Sequence, residues 1–288
     1  MCQFIRIPKY MPLYRKLEAL KLARSSYKGD ALGVVPTMGA LHQGHLSLIA
    51  KAKRESEVVW VTIFVNPTQF EKKDDLDKYP ESLAADVAAI HEIGADIHVF
   101  APTATEMYPE GLAAKGQTLD GLDNLMEGAD RPGHFDGVIT IVAKLFEILQ
   151  PHQAYFGEKD FQQLQVIKKW AKDQHIPTRI IPCPIVREAS GLAMSSRNAQ
   201  LSPKDRKEAG FIYDAMLQCR NKSLDKPAVY TIIKEAFSAH PNFDLCYVLC
   251  AEEDSLKEVH DLVSANKPRL FIAASVAGVR LIDNIALK

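Results

Sequence analysis

From Ala31 onward, short apolar runs alternate with longer stretches whose apolar residues recur three and four positions apart. The short runs, Leu32–Val35, Val58–Val65, Asp96–Phe100, Gln153–Phe156 and Thr178–Val186, are apolar on both faces, as strands buried inside a parallel sheet must be. The periodic stretches, Leu46–Arg54, Leu83–Ile93, Val138–Leu149 and Phe161–Asp173, each predict a helix offering one stripe to that sheet. Gly94 and Pro151 stand where two of them must end. Strand and helix in alternation predict the α/β class, a parallel sheet with flanking helices. After about Val186 the pattern changes to a polar, serine-rich loop. Helical stretches follow at Asp205–Asn221 and Pro227–Ala239, with strands at Leu245–Cys250, Leu270–Ala274 and Val279–Ile282. The expectation is a larger domain over 1–186 and a smaller α+β domain over 187–288.

Composition narrows the function classes. With 288 residues, 47% apolar and 25% charged, the chain is an ordinary globular one, able to bury a core. Its 35 basic and 36 acidic side chains nearly cancel, so no whole-protein field draws it to nucleic acid or an anionic membrane. The start scatters its charges and lacks the apolar stretch of about 7–15 residues that a secretory signal requires. Val58–Val65 falls far short of the roughly 20 residues needed to cross a bilayer. The five cysteines, Cys2, Cys183, Cys219, Cys246 and Cys250, form neither CxxC pairs nor metal spacings and read as reduced thiols. A cytoplasmic protein is expected.

Four segments carry candidate chemistry. Met38-Gly39-Ala40-Leu41-His42-Gln43-Gly44-His45 lies where the first strand gives way to its helix, the usual ligand edge of an open α/β sheet. Its glycines permit close backbone approach, and the helix N–H groups attract an anion. His42 and His45 share a face of the first helical turn, where both imidazoles can donate to one phosphate chain; alternatively, the turn merely carries two histidines. After the next strand, Asn66 and Gln69 offer uncharged amides that suit hydroxyls and carboxylates, or else satisfy the turn around Pro67. Gly157-Glu158-Lys159-Asp160 follows a later strand, with Lys159 either neutralising phosphate charge or simply solvated, and Asp160 a possible helix cap. Met194-Ser195-Ser196-Arg197 supplies hydroxyls and a guanidinium, as a phosphate-binding loop or as a capping cluster beside a surface arginine.

In this order and spacing, the blocks VPTMGALHQGH, FVNPTQF, RPGHFDGV, FGEKDFQQL and GLAMSSRNAQLS, with the closing RLIDNI, resemble the pantothenate synthetases of the HxGH nucleotidyltransferase superfamily. The resemblance implies a Rossmann-like first domain, a C-terminal domain acting as a lid, and a homodimer. It also implies that pantoate and ATP form a pantoyl adenylate, which β-alanine converts to pantothenate and AMP. By the same resemblance Met38 to His45, Gly157 to Asp160, Val186 and Met194 to Arg197 bind ATP, with His42, His45, Lys159 and Arg197 catalytic. Gln69, Gln163 and Asn66 take the substrate side. Mg²⁺ accompanies the ATP, its ligands unassigned and Asp86 no more than a candidate. The chain departs from the family pattern at Glu81, Asp136 and Ser190, none of them assigned to catalysis.

Two other readings compete. Another HxGH nucleotidyltransferase, acting on a mononucleotide, would share the first block but not Gln69, Gln163 or the MSSRN loop. A non-catalytic RNA- or protein-binding module predicts a basic stripe, against which the balanced charge and the joint presence of His42, His45, Lys159 and Arg197 argue.

Overall fold

A computed structural model describes residues 11–288 except 30, 71–75, 78, 81, 117 and 222–223; Cys2 and Glu81 therefore lie outside the described residues. The chain divides into two compact units, one comprising Met1–Gly157 and Val166–Cys183 and the other Glu158–Gln165 and Pro184–Lys288.

The first unit is built on six strands: β1 (Leu13–Tyr14), β2 (Leu32–Thr37), β3 (Val58–Ile63), β4 (His98–Phe100), β5 (Gln153–Gly157) and β6 (Arg179–Cys183). They form one sheet in the order β1-β4-β3-β2-β5-β6, every pair parallel. All six residues of β3 are buried, which explains a run with no polar alternation. Helices α1 (Leu17–Ser25), α2 (Gln43–Glu55), α3 (Leu83–Ile93), α4 (Ala104–Met107), α5 (Met126–Asp130) and α6 (His134–Leu149) lie between the strands in sequence, and α7 (Phe161–Asp173) precedes β6. Leu48, Ile49 and Ala52 of α2 and Val87 and Ile90 of α3 pack with Val35, Val59, Val61 and Val99 into one core. Fully burying a valine, leucine or isoleucine side chain stabilises by about 1.5–3 kcal/mol. The expected strand Thr178–Val186 is observed as Arg179–Cys183; Pro182 lies within it, and Pro184, just past its end, brings no N–H to a ladder.

The strand order reverses at β2, with β3 and β4 on one side and β5 and β6 on the other. Such a switch point leaves a crevice at the carboxyl ends of the two central strands, where open α/β sheets bind ligands. Met38 to His45 follow β2, and β5 ends at Gly157.

In the second unit, α8 (Pro203–Glu208), α9 (Phe211–Asn221) and α10 (Lys226–Ser238) accompany an antiparallel sheet, β7 (Asp244–Glu252), β8 (Pro268–Val276) and β9 (Val279–Ala286). Ile212, Met216, Val229, Ile233 and Phe237 pack with Leu270, Ile272, Ala274 and Leu281 into its core. The single helix expected over 205–221 is two, broken beside Gly210, where a Cβ would collide with the Ser190 carbonyl. Among the described residues no helix is long and apolar enough to cross a membrane.

Candidate active site

In the first unit, the loop after β2 is shaped by a buried carboxylate. Gly39 and Ala40 both adopt positive φ, 84° and 48°. The turn is held because Asp86 Oδ2 accepts from Ala40 N at 2.9 Å and Oδ1 accepts from Leu41 N at 2.8 Å. Ser82 Oγ donates to the same Oδ1 at 3.1 Å. Asp86 is 2% exposed and comes from the first turn of α3, and its buried carboxyl group is satisfied by these three donors. Both of its oxygens are thereby engaged in shaping the loop.

His42 caps α2. Its Nδ1 accepts from Gly44 N at 3.1 Å, and His45 Nδ1 accepts from His42 N at 3.4 Å, a reciprocal capping box made by two imidazoles. The rings lie 4.1 Å apart, centroid to centroid. An imidazole whose Nδ1 accepts must carry its proton on Nε2, so the geometry sets both residues as Nε2–H donors. Capping and donation to an anion are therefore compatible in one side chain, and the two readings of the HxGH turn do not exclude each other.

Asn66 is 1% exposed and its amide is occupied within the protein. Nδ2 donates to Gly137 O at 3.1 Å and Gln69 Oε1 at 3.3 Å. Oδ1 accepts from Tyr108 OH at 2.7 Å and Thr68 Oγ1 at 3.0 Å. Burial pushes the Tyr108 phenol above its ordinary pKa, so it stays a donor to this carbonyl. The turn-satisfying alternative thus describes Asn66, which orients Gln69. The Gln69 amide Nε2 lies 2.9 Å from Met38 Sδ, so the loops after β2 and β3 meet there.

The block RPGHFDGV proves to support the same turn, a role the sequence had not assigned. Gln69 O accepts from His134 Nδ1 at 2.8 Å and from Arg131 Nη2 at 3.2 Å. A Cβ on Gly137 would run into the Thr68 carbonyl and come within 2.7 Å of Gln69 Cα. A lone glycine inside an apolar helical run signals such close approach, and this was the available clue. Gly137→Ala should therefore cost about 1–3 kcal/mol of stability through overpacking. If Gln69 holds the acid, as the resemblance implies, displacement of its turn should also raise KM for that acid roughly tenfold, equivalent to about 1.4 kcal/mol. Thermal unfolding and steady-state kinetics check both effects. Asp136, one of the departures from the family pattern, sits in the first turn of α6, where a carboxylate suits the helix dipole.

In the second unit, Glu158–Asp160 form a 3₁₀ turn ahead of α7. Lys159 is partly exposed and its Nζ lies 3.4 Å from Asp160 Oδ1. Gln163 is partly buried on the first turn of α7. Val186 and Met194, which the sequence places in one serine-rich loop, are joined directly: Met194 N donates to Val186 O at 3.0 Å, and Glu188 N to Leu192 O at 2.9 Å, making a narrow hairpin. Ser195 Oγ then accepts from Arg197 N at 3.3 Å and caps the 3₁₀ helix Ser196–Gln200. The serine capping alternative is thus observed for Ser195, whose hydroxyl proton can still donate. Asn198 Nδ2 staples the hairpin through Glu188 Oε1 at 2.8 Å and Ala193 O at 3.0 Å.

Comparison with known proteins places this geometry. The family model for pantoate-beta-alanine ligase matches residues 12–286. The chain belongs to the pantoate-beta-alanine ligase family. It is 44% identical to the pantothenate synthetase of Christiangramia forsetii over 281 residues, 96% of this chain and 99% of the relative. It is 42% identical to that of Thermus thermophilus over 274 residues, 94% and 98% of the two chains. A crystal structure of the Thermus thermophilus pantothenate synthetase superposes with a TM-score of 0.90 at 40% identity, covering 96% of this chain and 99% of that one. The pantoate-beta-alanine ligase of Francisella tularensis, complexed with beta-gamma ATP and beta-alanine, gives 0.81 at 38% identity, over 96% and 98%. This ligase condenses pantoate with β-alanine to give pantothenate. Its fold, a parallel six-stranded sheet with flanking helices and a small antiparallel C-terminal sheet, is that of the pantothenate synthetases.

Proposed function

We propose that this ligase activates pantoate with ATP as an acyl adenylate before β-alanine reacts, and that the four segments hold the reactants. The observation that carries the reading is the paired imidazole cap, which presents two Nε2–H donors at the carboxyl end of β2 without using a protein nucleophile. In the first step a pantoate carboxylate oxygen attacks the α-phosphorus, and the bond to the β-phosphate bridging oxygen breaks. Pyrophosphate leaves with that electron pair. In the second step the β-alanine amine attacks the acyl carbon, the acyl–oxygen bond breaks, AMP departs and the amine loses a proton.

In this reading His42 and His45 stabilise the departing pyrophosphate, while Met38 to His45 lie along the nucleotide. Gln69, oriented by Asn66, holds pantoate through a neutral amide that does not trap the carboxylate as an ion pair. Gln163 serves the same substrate. Lys159 stabilises the α-phosphate, Gly157 to Asp160 and Val186 contact the nucleotide, and Met194 to Arg197 bring hydroxyls and a guanidinium to its phosphates. When bound, Mg²⁺ would lessen the charge of the triphosphate, and no protein residue is assigned to hold it. A cytoplasmic homodimer is the state that the family resemblance implies.

The test is ATP–pyrophosphate exchange by the purified protein with Mg²⁺ but without β-alanine, comparing pantoate, no acid and nicotinamide mononucleotide. Exchange should require pantoate, and AMP release should then require β-alanine. Exchange supported by the mononucleotide and not by pantoate would replace this reading with that of a nucleotidyltransferase.

A further inference from the structure

We propose that Asn284 is a positioning residue for adenylation, acting through Lys159; the inference rests on the role assigned to Lys159 above. Asn284 sits on β9, is 2% exposed, and uses its whole amide. Nδ2 donates to Glu158 O at 2.9 Å and to Lys159 O at 3.0 Å, across more than a hundred residues of chain. Oδ1 accepts from Arg269 Nη1 at 2.6 Å. Arg269 is itself fixed, with Nε and Nη2 donating to Glu253 Oε1 at 2.9 and 2.7 Å and its guanidinium 4.0 Å from the Phe161 ring centre.

The preceding residue does for the other nucleotide segment what Asn284 does for this one. Asp283 receives Arg187 through two bonds, 2.5 and 2.9 Å. Arg187 also donates to Gly191 O at 3.1 Å and stacks 3.6 Å over Tyr213. Two consecutive residues of one sheet strand therefore tether the turn that carries Lys159 and the hairpin that leads into Met194 to Arg197.

The physical consequence concerns a flexible side chain. Lys159 ends in an ammonium on a four-carbon stem, and its placement depends on where the backbone root is held. Two hydrogen bonds from a buried amide fix that root against a sheet, whereas a misplacement of 1 Å can cost about a hundredfold in rate. An amide is required because the same atom must donate twice to carbonyls while its partner atom accepts from arginine. A carboxylate keeps the acceptor and loses both donors.

The experiment is a double-mutant cycle on Asn284→Asp and Lys159→Ala, read by pantoate-dependent ATP–pyrophosphate exchange, with thermal unfolding of each variant. Asn284→Asp should lower kcat by about 10–100-fold with KM for pantoate unchanged, and should cause no further loss in the Lys159→Ala background. Should the Asp variant fail to fold, Asn284→Ala is carried through the same cycle. Losses that multiply in the double variant, or an Asn284 variant with normal kcat, overturn the inference while leaving Lys159 its role. A nearly normal Lys159→Ala overturns the assignment of Lys159 and this inference with it.

Discussion

Lys159→Ala is expected to lower pantoate-dependent ATP–pyrophosphate exchange by about 10²–10³, the usual loss when one preorganised donor to developing charge is removed. The expectation follows from how the residue is held. Its side chain is partly exposed and its only described ion pair is a 3.4 Å contact with the neighbouring Asp160, so little of the fold depends on the ammonium. Its backbone, by contrast, is fixed by a buried amide. A thermal midpoint close to the parent's, with the fall confined to kcat, is the expected pattern. Nearly normal turnover would show that the lysine is merely solvated.

The second large effect separates two functions of one histidine. His42 caps α2 through Nδ1 and presents a proton on Nε2. Asparagine is a strong N-cap, so His42→Asn keeps the acceptor for Gly44 N and removes the distal donor. Thermal stability should stay within about 0.5 kcal/mol, while exchange falls by about 10²–10³. His42→Ala loses the cap as well, which typically costs about 1 kcal/mol more. If the Asn variant retained its rate, the imidazole pair would be a helix cap and nothing else.

How much of this was readable in advance follows from what each residue contacts. β3 was legible because all six of its residues are buried, and α3 because its stripe lies against that sheet. The short β1 and α1 were not assigned: β1 has only two residues, and α1 is nine residues long with Leu20 its one buried side chain and Leu22 74% exposed. The break between α8 and α9 depends on a carbonyl twenty positions earlier in the chain, which no local pattern records.

For the site, the blocks themselves were visible because glycines, histidines and amides cluster at strand ends. The bonds that set their shape were not. Asp86 reaches Ala40 and Leu41 across 46 and 45 residues, and Asn284 reaches Glu158 and Lys159 across 126 and 125. In sequence Asp86 read only as a candidate metal ligand inside a helix and Asn284 only as part of the closing RLIDNI block, neither with a structural partner. Asn66 shows the opposite case: it was legible as an amide at a strand end, and only its three-dimensional partners reveal that it serves Gln69.

The central claim, that the carboxylate attacks the α-phosphorus, is tested most directly by running the full reaction with pantoate labelled with ¹⁸O in both carboxylate oxygens and examining the nucleotide product by mass spectrometry. The account predicts AMP and pyrophosphate, with one ¹⁸O carried into the phosphate of each AMP formed. AMP without the label, or ADP and labelled inorganic phosphate in its place, would contradict it.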